Sequence, residues 1–158
     1  MAKLDIIDLK ILKALQEDGR ISNLDLSNKI GLSPAPTLER VKKLERSEII
    51  KGYHAELNTY KVGLGTETFM LISLAFNQQN AIDNFVQGIR KIEEVVECYQ
   101  VTGASDFILR ILVKDINAYE LLVREKLSQI KEITNMQTMV IMSTIKKSRS
   151  VHINEKNF

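Results

Sequence analysis

One cysteine, Cys98, is the entire thiol inventory of this chain, so no internal disulfide framework can hold it and the fold must rest on packing. Long apolar runs are missing too: none approaches the roughly 20 residues that cross a bilayer. The opening residues, MAKLDIIDLK, carry acids where an export signal needs an uncharged apolar stretch, which predicts a cytoplasmic protein with no membrane partner. Charge of one sign is scarce: 22 Lys and Arg stand against 20 Asp and Glu, a net of +2. Residues 1–62 hold eleven basic and nine acidic side chains, and the remainder eleven of each. Contact with a polyanion must therefore come from local arrangement and repeated copies rather than from a basic chain. The two histidines, His54 and His152, have no ligand or base partner near them in sequence, and no H-E-x-x-H, C-x-x-C, G-x-S-x-G or phosphate-loop pattern occurs. Mid-strand, Cys98 reads as a small buried residue rather than a nucleophile, and Glu93, Glu94 and Glu97 as a solvated acidic corner. No enzyme activity, metal or cofactor is expected.

What is present is the composition of an ordinary folded protein, 44% hydrophobic and 27% charged over 158 residues. Asp5, with Asp8 three positions on, marks a helix start, and Leu9, Leu12 and Leu15 give that helix an apolar stripe before Asp18-Gly19 ends it. Ser22 and Asp25 repeat the signal, with Leu24, Leu26 and Ile30 as the apolar side and Gly31 at the left-handed position that closes a helix. Both prolines then fall together. Ser33 is a good N-cap, Pro34 fits the first helical position, and Pro36 removes only a donor that has no intrahelical acceptor. Leu38, Val41 and Leu44 recur inward while Arg40, Lys42, Lys43 and Arg46 point elsewhere. Three short helices, the last two joined by a Gly-containing turn, make a helix-turn-helix, with Ala35, Pro36, Thr37 and Arg40 placed to approach the base edges of double-stranded DNA.

After Ser47 the period changes, and Ile49 to Leu57 suits a short strand followed by a Gly-containing linker. Glu67 to Phe76 is apolar at nearly every position and reads as a strand covered on both faces. A helix capped by Asn80 follows, its inner stripe Ile82, Phe85, Ile89 and Ile92. Strands at Val95 to Val101 and Phe107 to Val113, a helix capped by Asn117, and a strand from Ile133 to Ile145 complete a strand-helix-strand-strand-helix-strand order. That order is the ferredoxin-like split βαβ, making the whole chain α+β. Two helices cover only one side of such a sheet. Ile108 and Leu112 alternate with Phe107, Leu109, Ile111 and Val113, so a second apolar face calls for a dimer packed sheet to sheet. The expected division is a DNA-binding domain over 1–50, a tethering strand and linker over 51–66, a ferredoxin-like domain over 67–146 and a tail over 147–158.

The loop Thr102, Gly103, Ala104, Ser105 and Asp106 joins two of these strands. Its hydroxyls, exposed N–H groups and carboxylate match a zwitterion of amino-acid size, although a plain hairpin turn has the same spacing. An enzyme or small-molecule sensor built on a dimeric ferredoxin-like domain is the rival class.

Five motifs, LDIIDLKIL at 4–12, DGRISNLDLS at 18–27, GLSPAPTLERVKKLE at 31–45, IIKGYHAEL at 49–57 and VTGASDFILR at 101–110, resemble the Lrp/AsnC family of feast/famine transcription regulators from end to end. The resemblance implies an N-terminal DNA-binding domain and a C-terminal domain that dimerises through its sheet and often builds octamers. It also implies an amino-acid effector bound near the T-G-x-x-D loop. By that resemblance Ser33, Ala35, Pro36, Thr37 and Arg40 lie at the DNA, with Lys43 on phosphate. Thr102, Gly103 and Asp106 form the effector loop, and Thr134, Gln137 and Thr138 on the last strand are further candidates for the effector's side-chain pocket.

Overall fold

The computed structural model describes residues 4–75 and 80–153 and divides into two compact units, one of residues up to Glu56 together with those from Lys146 on, the other Leu57–Ile145.

In the first unit, helix α1 (Ile6–Glu17) opens on a reciprocal capping box: Asp8 N–H donates to Asp5 Oδ1 at 2.8 Å and Asp5 N–H to Asp8 Oδ2 at 3.3 Å. Helices α2 (Asn23–Ile30) and α3 (Pro34–Arg46) follow. Their shared core is Ile11, Leu12, Ala14, Leu26, Ile30 and Leu44. Leu24, expected inside, is exposed, because the eight residues of α2 leave room for only one buried stripe, Leu26, Ser27 and Ile30. Residues 51–57 form no strand, since a ladder needs a partner and the described residues of the unit supply none. Tyr53 holds this segment to α3 instead. Its phenol donates to Glu45 Oε1 at 3.0 Å and is pushed up to about 12 by desolvation and that carboxylate.

The C-terminal residues are more than a tail. Val151 N–H donates to Gln16 Oε1 at 2.6 Å, Gln16 Nε2 donates back to Val151 O at 3.3 Å, and Ile153 packs on the helical core. Lys147 pairs with Glu56 at 3.0 Å. Residues 154–158 of the expected tail lie outside the described residues, as does Phe76, the expected end of the first strand.

The second unit holds strand β1 (Thr66–Leu74), helix α4 (Ala81–Ile89), strands β2 (Val95–Gln100) and β3 (Phe107–Val113), helix α5 (Ile116–Glu125) and strand β4 (Ile133–Val140). The sheet order is β2-β3-β1-β4 with every neighbouring pair antiparallel, as the ferredoxin-like order requires. Alternation sends Met70, Ile72, Leu109 and Ile111 to the face covered by Phe85, Ile89, Tyr119 and Leu122 of the helices. Several local expectations shift. Asp115, not Asn117, caps α5, its carboxylate accepting from Ala118 N–H at 2.9 Å. Asn80 precedes α4 in a left-handed conformation with no side-chain cap bond, and Ile82 is exposed while Ala81 is buried. β4 ends at Val140, after which Ile141 N–H makes a last bond to Glu67 O.

The face of the sheet away from the helices is uncovered within this unit. It is not uniformly apolar. Arg110 of β3 is at its centre, with Nε donating to Glu67 at 2.5 Å and Nη1 to Glu97 at 2.7 Å, surrounded by Phe69, Leu71, Ile108 and Leu112. The acidic corner expected at Glu93 to Glu97 is thus resolved into separate pairs, Glu97 with Arg110 and Glu94 with Lys126 at 2.6 Å.

One strained position lends itself to a test. Glu48, just past α3, has φ 57°, where a side chain meets its own backbone, and its charge lies at the helix's negative end. Glu48→Gly is expected to stabilise the protein by about 0.5–1 kcal/mol, after allowing for glycine's greater freedom when unfolded. Urea unfolding followed by circular dichroism checks it, and a lower midpoint would refute the assignment of strain.

Candidate nucleic-acid interface and effector loop

The turn between α2 and α3 is built from local chemistry. Ser22 Oγ accepts from Asp25 N–H at 3.1 Å and donates to Asp25 Oδ2 at 2.6 Å, so the reciprocal bond runs through the hydroxyl rather than through the Ser22 amide. Gly31 closes α2 at φ 78°, its N–H reaching Ser27 O at 3.0 Å. No atom crowds the position a Cβ would take, so it is the backbone angle that calls for glycine. Asn23 Nδ2 donates to Pro34 O at 2.9 Å and links the starts of the two helices. Ser33 occupies the N-cap of α3 but makes no side-chain cap bond, and Pro34 takes the first helical position. Two prolines in the first turn leave few free amides there for a cap to satisfy.

The inner stripe of α3 is Thr37, Arg40, Val41 and Leu44, at spacing i, i+3, i+4, i+7. Two of the residues expected at the DNA are therefore turned inward. Thr37 is 0% exposed, its hydroxyl donating back to Ser33 O at 2.9 Å. Arg40 Nη1 donates at 2.7 Å to both Asp5 Oδ2 and Asp8 Oδ1, the two acids of the α1 capping box. Asp8 is 4% exposed at its side chain, so this guanidinium compensates a buried charge. Leu38, expected inside, is 42% exposed on the opposite side. Ser33, Pro34, Ala35 and Pro36 are exposed at the start of α3, and Lys42, Lys43 and Arg46 line its outer side further on. Lys42 lies 3.4 Å from Glu39, while Lys43 and Arg46 make no ion pair among the described residues. Neither Thr37 nor Arg40 could be turned inward by local pattern alone. Acids at Asp5 and Asp8, opposite a lone Arg among apolar helical positions, are the signal that was available.

In the second unit, Thr102, Gly103 and Ala104 are exposed, with Ser105 and Asp106 half-buried. Asp106 does not simply close its own hairpin. Its Oδ2 accepts from Leu74 N–H at 2.8 Å and its own N–H donates to Ile72 O at 2.8 Å, while Val101 N–H bonds Asp106 O at 2.9 Å. Thr134 reaches the same turn of β1 from the other side, its hydroxyl donating to Ser73 O at 3.0 Å, where the β1–β4 register shifts. The loop and Thr134 therefore converge on the C-terminal end of β1. As successive strand residues Gln137 and Thr138 face opposite ways, and Thr138 is bonded to Tyr119 at 2.5 Å beside the helices. Gly103 takes φ 125°, a conformation that favours glycine, and Asp106 Oδ1 accepts no bond among the described residues. Such a loop can hold a carboxylate on amides and an ammonium on Asp106.

Among the described residues no group of three or more His, Cys, Asp or Glu side chains gathers as metal ligands, and no helix is long and apolar enough to cross a membrane. Cys98 is exposed on the edge strand β2, not buried as expected, and desolvation raises its thiol pKa, the opposite of activation.

A helix-turn-helix unit with a cationic outer side on its second helix, joined to a ferredoxin-like sheet, defines the class: a DNA-binding regulator with a separate ligand-sensing fold. Residues 4–51 match the family model for a winged helix-turn-helix DNA-binding domain, and residues 67–151 match that for the Lrp/AsnC ligand binding domain. The leucine-responsive regulatory protein of Escherichia coli K12 is 40% identical over 150 residues, covering 95% of this chain and 92% of that one. A proline dehydrogenase transcriptional activator of Rhizobium radiobacter is 39% identical over 145 residues, 92% and 93% of the two chains. Among solved structures, a transcriptional regulator of Neisseria meningitidis in complex with L-Met superposes with TM-score 0.94 at 34% identity, covering 98% of this chain and 99% of that one. The chain belongs to the Lrp/AsnC family of DNA-binding transcriptional regulators.

The placement of Arg40 carries a prediction. Arg40→Ala strands the Asp8 carboxylate and is expected to cost about 2 kcal/mol of stability at pH 7. The Asp8 backbone N–H and then Arg40 hold Asp5 below its ordinary 3.8, partly offset by desolvation. A group depressed in the native state contributes stability above its ordinary value and loses it as pH falls through the lower native one. The share of the Arg40→Ala penalty that comes through Asp5 is therefore expected to be full at neutral pH and to be lost as pH falls below 3.8 through the lower native value. Equal stability of variant and wild type at pH 7 in urea titrations would contradict this placement.

Proposed function

We propose that this protein acts in the cytoplasm as a sequence-specific transcription regulator, binding double-stranded DNA as a dimer or an assembly of dimers up to an octamer. In this reading an amino acid bound at the Thr102–Asp106 loop changes its activity. The observation that carries the reading is the outer side of α3, with Ser33, Ala35 and Pro36 exposed at its start and Lys42, Lys43 and Arg46 beyond them. The N-terminal end of such a helix enters the major groove while the cations neutralise phosphate. A pseudo-palindromic operator follows from a two-fold assembly, its half-sites about one helical turn or a multiple apart.

The apolar side of the sheet away from the helices supports self-association, since a monomer would leave the half-buried Phe69, Leu71 and Ile108 partly against water. For the effector, support comes from the convergence of the loop and Thr134 at the end of β1, and from the Neisseria regulator solved with L-Met. An amino acid can shift the assembly only by as much as its affinity differs between states.

Two outcomes are expected. Sedimentation at micromolar concentration should give a dimer mass or a multiple of it, and a monomer mass would defeat the assembly proposal. In a thermal-shift screen against the twenty amino acids, wild type should respond to at least one. Asp106→Asn, which keeps an acceptor for Leu74 N–H, should stay within about 0.5 kcal/mol of wild-type stability and lose that response. Asp106→Ala should also lose about 1–2 kcal/mol of stability. An Asp106→Asn protein that still shifts with the same amino acid would show that the carboxylate holds the strand and not the ligand.

A further inference from the structure

We infer that this protein reads its operator chiefly through the methyl groups of thymine, using Ala35 and Leu38 on α3, with Arg40 a positioning residue behind them. This deepens the DNA-binding reading above and rests on it. The argument starts from the hydrogen-bonding capacity of the helix's leading half. Pro34, Ala35 and Pro36 have no polar side-chain atom, Thr37 faces the domain core with its hydroxyl on Ser33 O, and Arg40 is drawn toward α1 by Asp5 and Asp8, both held by its Nη1. Guanine is most often read by a bidentate Arg or Lys, and adenine by a bidentate Asn or Gln. The leading half of α3 offers none of these on its outer side. What it offers is Leu38, 42% exposed, next to exposed Ala35 at i−3. The polar side chains beside them on α3 are the exposed Ser33 at the N-cap, too short for a bidentate contact, and Glu39, whose carboxylate lies 3.4 Å from Lys42.

An exposed leucine alone needs no explanation. Its position decides the matter here. Lys42 and Arg46 continue the same outer stripe at i+4 and i+8 from Leu38, so the surface is an apolar tip followed by cations. An apolar protein partner would have to desolvate those cations, whereas a DNA groove meets both needs: phosphates for the cations and, in the major groove, the C5-methyl of thymine for the apolar tip. The remaining sequence preference then comes from the shape and stiffness of the duplex rather than from base hydrogen bonds. Arg40 contributes by fixing which side of α3 is outermost.

The test uses a duplex enriched by the full-length protein from a random pool, with single thymines replaced by uracil, which removes only the methyl, and single guanines by 7-deazaguanine, which removes the N7 acceptor. Wild type is expected to lose about three- to fivefold in affinity at one or two uracil positions per half-site, the worth of one buried methyl. It should change little at 7-deazaguanine. Leu38→Ala should bind more weakly and be nearly blind to one of those uracils, since the contact is already gone. For Arg40, Lys is expected to restore most of the affinity lost in Arg40→Ala without changing which positions respond to uracil. Indifference to every uracil, a dominant 7-deazaguanine effect, or the same uracil penalties in Leu38→Ala and Ala35→Gly as in wild type would overturn the inference. Failure to enrich any duplex would overturn the DNA-binding reading itself, and the two failures are distinct.

Discussion

The contact on which the DNA-binding unit depends is the guanidinium of Arg40 between Asp5 and Asp8. It joins the start of α1 to the middle of α3, two places more than thirty residues apart, and one of the two carboxylates it holds, that of Asp8, is largely removed from water. A helix as polar as α3 has no strong apolar stripe to fix its rotation. Only Val41 and Leu44 point inward as hydrophobes, and two small contacts tolerate many orientations. The ion pair removes that freedom, because a buried carboxylate left unpaired costs more than either hydrophobic contact contributes. The side of α3 left outermost is therefore decided by electrostatics at its inner side. The same two acids cap α1, so the capping box and the clasp share carboxylates, and neither Asp can be changed without affecting both helices.

In the ferredoxin-like unit the equivalent constraint is alternation. Once Met70, Ile72, Leu109 and Ile111 are committed beneath the helices, Phe69, Leu71, Ile108 and Leu112 must face the other way. Arg110 with Glu67 and Glu97 interrupts that second side at its centre. A charged triad in an apolar surface destabilises poorly matched contacts more than it strengthens good ones, because every member must keep its partner when water leaves. It restricts the ways in which two such surfaces can meet.

Much of this was legible from residues near one another in the chain. The capping pairs Asp5/Asp8 and Ser22/Asp25, the left-handed Gly31, and the order of strands and helices all follow from local chemistry and period, and the structure has them where the sequence puts them. Features that depend on distant partners are not carried by local pattern. The recurrence of Leu38, Val41 and Leu44 at i, i+3, i+6 predicts an inward Leu38, whereas the inner stripe includes the polar Thr37 and Arg40, whose partners are a carbonyl and two acids. The strand expected over Ile49–Leu57 needs a second strand to pair with. Asp115 displaced Asn117 as the α5 cap because Asp-Ile-Asn offers two caps and only the extended backbone of Asp115 meets the helix correctly. The Val151–Gln16 pairing, across 135 residues, leaves no trace in local pattern.

These placements bear on how a chain of net charge +2 can select a DNA site. With Arg40 committed to the fold, each copy of α3 presents Lys42, Lys43 and Arg46 as cations, and Glu39 offsets part of even that charge. Few phosphate contacts per copy mean weak non-specific binding and a shallow salt dependence for a single unit. An apolar tip gains only what burying a methyl or two provides, so a lone copy has little discrimination as well. Both deficits are removed by repetition. When a second copy is held nearby, its binding becomes intramolecular, and affinity and discrimination multiply across half-sites without any new contact. Occupancy of the operator then depends steeply on how the copies are held relative to one another. A ligand that alters the association of the sheet units thus has leverage over DNA binding without touching α3.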